Sequence, residues 1–165
     1  MANLRAILRK RLAKVERLGV LGVGSPMRGD DAAGVLAAQA LADALRHAPT
    51  RVPVSVFLGY TAPENLTGEI KRFRPSHLLI LDAADLAKKP GHLEFLEPDA
   101  LTHNPSASTH SLPFSVFAAY LRDAFPCDVF ILGIQPAHHG FSESCSPAVS
   151  KAAQRLSQLI LDVLK

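Results

Sequence analysis

Residues 18–45 read LGVLGVGSPMRGDDAAGVLAAQALADAL, and three kinds of local physics follow one another along them. Leu18 to Val23 is apolar at every position that carries a side chain, the pattern of a central parallel strand covered by helices on both faces. Gly24 to Gly29 is a loop rich in glycine and proline. From Ala32 to Leu45 the chain is rich in Ala and Leu, with Asp43 and Arg46 breaking the apolar run, and predicts a helix. Asp30 and Asp31 stand at its start, where a carboxylate can cap the first turn and meet the positive end of the dipole.

Further along, Val52 to Leu58 predicts a second strand, with Pro53 near its start and Gly59 after its end. Pro63 to Phe73 predicts a short helix opened by Thr61 or Pro63 and weakened by Gly68. His77 to Leu81 predicts a third strand ending in Asp82. His92 to Leu96 alternates in polarity and predicts an edge strand, and Pro98 to Ser111 a long polar loop of the functional or mobile kind. Phe114 to Phe125 suits a helix and Val129 to Ile134 a core strand. Ser146 to Leu164 closes the chain as an amphipathic helix, with Val149, Ala152, Leu156, Leu159 and Ile160 facing the body. Strands alternating with helices give an α/β fold, a three-layer sandwich. Its mostly parallel twisted sheet of about five strands carries helices on both faces. In such folds the carboxyl ends of the strands carry the chemistry.

Upstream, Arg5, Arg9, Lys10, Arg11, Lys14 and Arg17 crowd the first seventeen residues, opposed only by Glu16. They predict a basic helical extension over about residues 1–15, read as a solvated charged face. Its stripe of Leu4, Ile7, Leu8, Leu12 and Val15 docks on the body or on a partner. Residues 2–14 are then dispensable for chemistry.

The 165 residues, 48% hydrophobic and 20% charged, suffice for one α/β domain over 1–165 whose core needs no disulfide or metal staple. A net charge of +3, with its excess local to the start, is too weak for committed nucleic-acid binding. No run is long enough to span a bilayer, and the opening lacks the continuous apolar segment of a secretion signal. Cys127 and Cys145 lack the spacing of a zinc knuckle or a redox pair, so the expected setting is the reducing cytoplasm. The free chain is expected to be a monomer.

The glycine loop invites comparison with dinucleotide and phosphate loops. After Gly24 come Ser25, Pro26, Met27 and Arg28 before Gly29, two residues too many for the Rossmann fingerprint, and no Gly-Lys-Ser/Thr follows for a P-loop. Two carboxylates at the helix start would also repel a pyrophosphate. They are better read as cation ligands. Asp31 follows the first strand and Asp82 the third, so both project over one sheet edge if those strands are neighbours. His110, in the long loop, supplies an imidazole. Two carboxylates and one imidazole suit Zn, Ni, Fe, Co or Mn with coordination positions left open. At this level the alternatives stand: a helix cap for Asp30 or Asp31, loop support for Asp82, a solvated His110, and His103, His138 or His139 as rival ligands.

Six ordered blocks add to this reading: GVGSPMRGDD at Gly22 to Asp31, YTAPEN at Tyr60 to Asn65, RPSHLLILDAADL at Arg74 to Leu86, PGHLEFLEPD at Pro90 to Asp99, THSLP at Thr109 to Pro113, and FILGIQP at Phe130 to Pro136. In them the chain resembles the hydrogenase maturation endopeptidases, most closely the type that processes the large subunit of hydrogenase 3, the nickel-iron enzyme of the formate hydrogenlyase system. The resemblance covers everything but the basic start. It implies a nickel-sensing triad that falls on Asp31, Asp82 and His110. It also implies a single cut near the C-terminus of a nickel-loaded large-subunit precursor, with nickel borne by the substrate's cysteines. Ser25 stands where Asn is common, and Ala32 where a Gly is often seen, which implies an ordinary helical backbone there.

No Ser, His and Asp set has nucleophile-elbow spacing, so attack by water is expected, with Asp82 as base or nickel polarising the carbonyl or the water. Asp31 and Asp82 are then both catalytic and metal-binding, and Asp30 supports or caps the loop. The rival readings are an aspartic-type protease using Asp31 and Asp82 as a dyad, a metal hydrolase of small substrates, and a non-catalytic nickel-checking assembly partner.

Overall fold

Every residue of β1 (Leu18–Val23) is buried, as are the last six of β3 (His77–Ala83) and of β5 (Asp128–Ile134). Strands apolar on both faces need helices on both, and that is how the computed structural model arranges them. It describes residues 2–96, 114–138, 140 and 144–165. β1 pairs in parallel with β2 (Val54–Tyr60) on one side and with β3 on the other, and β3 pairs in parallel with β5. The polar-alternating β4 (Leu93–Leu96) adds to β5 antiparallel at the edge, giving the order β2-β1-β3-β5-β4.

Strand alternation sorts the core into two layers. Leu79, Leu81 and Ala83 of β3 pack with α1 (Ala2–Arg11), α2 (Ala33–Leu45) and α5 (Pro147–Leu164), whereas Leu78 and Ile80 pack with α3 (Thr67–Phe73) and α4 (Phe114–Ala124). The mixed, mostly parallel sheet between them makes the expected three-layer sandwich. The chain leaves β1 through α2 on one face to reach β2, then crosses back through α3 on the other to reach β3. β1 is therefore the strand at which the connections diverge, and its carboxyl end, beside that of β3, is the position where doubly wound sheets bind ligands.

Two strands differ from the sequence reading. β2 starts after Pro53, whose carbonyl accepts the Leu18 N–H at 3.0 Å, and runs through Gly59 to Tyr60, because a register shift at Gly22/Val23 pairs Val23 with Tyr60. β3 continues past Leu81, so that Asp82 lies inside the ladder opposite Gly133.

α1 belongs to the body. Leu8 and Leu12 are fully buried, Leu4 and Val15 nearly so, and all four join the α2/α5 layer of the core. The hydrophobic stripe fills the core while the arginines and lysines stay outside. Removal of residues 2–14 would take Leu4, Leu8 and Leu12 out of the core, a cost in stability that is separate from their expected dispensability for the chemistry.

Candidate functional site

The loop that follows β1 is shaped by what its glycines allow. Gly24 has φ +133°, and a Cβ there would stand 1.8 Å from the carbonyl oxygen of Asp31. Its N–H donates to the Tyr60 carbonyl at 2.8 Å. The chain then tightens into a single 3-10 turn, Gly29–Ala32, before α2. Ala32 has φ −69° and ψ −8°, the helical backbone expected from alanine at that position.

The adjacent aspartates of this turn face different partners. Asp31, partly exposed, accepts a hydrogen bond from the Ser25 N–H on Oδ2 at 2.9 Å, closing the glycine loop on itself. Asp30 is almost completely buried and accepts from the Ala137, His138 and Ser146 N–H groups, the Ser146 hydroxyl and the Cys145 thiol. Neither stands at a helix cap: the N-cap residues of the turn and of α2 are Arg28 and Ala32, and neither of those makes a side-chain cap. Burial by itself would raise the Asp30 pKa, but the donors from Ser146, Ala137 and Cys145 outweigh it and hold the carboxyl below its ordinary value.

Asp82 is 1% exposed. By alternation with Leu78 and Ile80 its side chain lies on the α3/α4 face of the sheet. The register pair Gly22 with Leu81 puts Asp82 beside the end of β1, and the turn carrying Asp31 packs against β3. Asp31 and Asp82 thus sit at the carboxyl ends of neighbouring strands, at the diverging connections. His110 and the loop bearing it lie outside the described residues, as do His103 and His139. Among the described residues no three His, Cys, Asp or Glu side chains form a metal-binding group.

Two supporting residues have partners that the sequence does not reveal. Gln135, 6% exposed, accepts from the Leu86 and Lys88 N–H groups on Oε1 at 2.7 and 3.2 Å, and donates from Nε2 to Asp85 Oδ1 at 3.3 Å. It binds the end of the RPSHLLILDAADL block to its own FILGIQP block. Asp30 is the second, and its partners lie more than a hundred positions away in sequence. The cysteines are poor nucleophiles. Burial first, then Asp128, pushes the Cys127 thiol up to about 12, and burial with the Asp30 carboxylate does the same to Cys145. A cavity of about 640 Å³, lined by Lys10, Arg11, Lys14, His77 and Asp128 among others, opens at the opposite, amino-terminal end of β3 and β5.

A family profile described as HycI, hydrogenase maturation protease, matches residues 37–163. The chain belongs to this family. Its members are endopeptidases that cleave the C-terminal extension of a hydrogenase large subunit. The hydrogenase 3 maturation protease of Escherichia coli (strain K12) is 34% identical over 139 residues, 84% of this chain and 85% of that one. The crystal structure of a NiFe hydrogenase maturation protease, HycI from Thermococcus kodakarensis, superposes with a TM-score of 0.84 at 29% identity, covering 96% of this chain and 98% of that one. The solution structure of the E. coli endopeptidase HycI gives a TM-score of 0.70 at 33% identity over 86% and 87% of the two chains. No described helix is long and apolar enough to cross a membrane.

Proposed function

We propose that this maturation endopeptidase removes the C-terminal tail of a nickel-iron hydrogenase large subunit after nickel insertion, with Asp31, Asp82 and His110 reading the metal that the substrate carries. The observation that supports it most is the placement of Asp31 and Asp82 on the ends of neighbouring strands, β1 and β3, where the sheet's connections diverge.

The donor set suits this task. Substrate thiolates hold nickel, and two carboxylates with an imidazole complete its shell with oxygen and nitrogen, too few ligands to keep the ion without the substrate. Cleavage then becomes conditional on cargo. Both thiols are protonated at neutral pH, which supports attack by water in place of an acyl-enzyme. Asp82, buried near the carboxyl end of β3, is the base in this scheme. Asp31, anchored by the Ser25 N–H, orients the substrate's metal. The reaction is placed in the cytoplasm, a setting that the two free cysteines support, with the chain a monomer until the precursor binds.

The test is incubation of the purified chain with a tailed, nickel-loaded large-subunit precursor, followed by intact mass. One cut releasing one C-terminal peptide supports the reading. A stable complex with the tail still attached would contradict it and favour a nickel-checking assembly partner.

A further inference from the structure

The Asp30 carboxylate is engaged on both oxygens by donors from the segment between β5 and α5. Oδ1 accepts the Ser146 N–H at 2.6 Å and the Cys145 thiol at 3.4 Å. Oδ2 accepts the Ala137 N–H at 2.7 Å, the Ser146 hydroxyl at 3.1 Å and the His138 N–H at 3.2 Å. The donors come from both ends of that segment, so one side chain gathers the chain leaving β5 and the chain entering α5. These donors are all uncharged, and a buried carboxylate is tolerated among them because the bonds replace water.

The turn that bears Asp30 is one unit of 3-10 helix, Gly29–Ala32, with no side-chain cap at its start. Such a short turn has poor hydrogen-bond geometry of its own and takes its precise placement from outside tethers. Asp30 is the tether to the far end of the chain, and its neighbour Asp31 carries the functional carboxylate. We propose that Asp30 is a positioning residue for cleavage: by fastening the turn to the segment between β5 and α5, it fixes the direction in which Asp31 meets the substrate's metal. This rests on the reading of Asp31 given above.

Asp30→Asn retains the volume and one acceptor but turns an NH2 group toward N–H donors. Two measurements, both on folded protein verified by thermal melting, test the proposal. In steady-state tail release from nickel-loaded precursor, kcat should fall about 10- to 100-fold while KM stays within about threefold, because the defect lies in orientation and not in docking. In native-state hydrogen exchange, the Ser25 N–H that reports on Asp31 should exchange about tenfold faster, while amides in the middle of β1 and β3 keep their protection. If Asp30→Asn does not fold, the double variant Cys145→Ala/Ser146→Ala removes only the two side-chain donors. Ser146 makes no side-chain cap to α5, so the helix start is preserved. It should shift both readouts in the same direction by a smaller factor.

Wild-type kcat together with wild-type Ser25 protection in the folded variant would overturn the proposal. So would exchange that rises equally in the β1 and β3 interiors, which marks general destabilisation. If the wild-type chain leaves the nickel-loaded precursor uncut, the functional reading fails, and the exchange measurement still decides whether Asp30 fixes the turn.

Discussion

A Cβ built on Gly34 would stand 2.1 Å from the carbonyl oxygen of Leu81 and 2.4 Å from that of Val23. The first turn of α2 therefore rests directly on the backbone of β1 and β3, one residue before Asp82. Both obstacles are main-chain atoms of central strands, so neither can give way cheaply. Gly34→Ala should lift α2 from the sheet and destabilise the fold by about 1–3 kcal/mol, a loss read as a lower denaturation midpoint. Unchanged stability would mean that the contact between α2 and the sheet is looser than this geometry.

The start of the chain makes a second prediction. Leu8 is fully buried against the α2/α5 layer, so Leu8→Ala should cost about 2–5 kcal/mol, and removal of residues 2–14 more. Lys14→Gln, at an exposed position, should leave the melt within about 0.5 kcal/mol of wild type. Equal tolerance of all three changes, measured by urea denaturation, would contradict the docking of α1.

His77, at the start of β3, titrates against stability. Burial holds its pKa below the ordinary value near 6.5, although Asp128 and Glu16 pull it up, and the Ser76 hydroxyl lies 2.9 Å from Nδ1. The neutral ring is favoured in the fold. Its contribution is therefore complete above the unfolded value and is lost as pH falls through 6.5 toward the lower folded value. Between pH 7 and 5.5 the wild-type Tm should drop more than that of His77→Asn; parallel curves would assign the acid sensitivity elsewhere.

Strand positions were legible in the chain because fully buried strands leave continuous apolar runs, as Leu18 to Val23 and Val129 to Ile134 do. The ends of β2 were not: pairing with β1 draws the strand past Gly59, a tertiary effect that overrides the local signal of a glycine stop. The amphipathic stripe of α1 could be read, but its destination could not, because periodicity says that a face is buried and not against what. The αβ alternation put Asp31 and Asp82 on one edge only if the first and third strands were neighbours, a condition that the pairing of β1 with β3 meets. A supporting or capping role for Asp30 could be expected, but its partners could not: the donors at 137–146 are adjacent to it only in the fold.

Asp82 is nearly inaccessible to solvent and lies within the β3 ladder, so Asp82→Asn preserves shape while removing a charge and a base. Tail release should fall by about 100-fold or more with precursor affinity retained in a pull-down. His110→Ala should instead weaken the preference for nickel-loaded over nickel-free precursor. Full activity in a folded Asp82→Asn protein would remove this carboxylate from the mechanism.

Cargo-conditional cutting is tested most directly by one paired measurement. Wild-type protein is incubated with two preparations of one tailed precursor, alike except that one holds nickel, and tail release is followed by intact mass over the same interval. The loaded precursor should lose its tail in a single cut and the nickel-free precursor should stay intact, because substrate thiolates and the Asp31, Asp82 and His110 donors together complete the metal's shell. Equal cleavage of the two preparations would contradict metal reading and return Asp31 and Asp82 to the status of a proton-sharing pair.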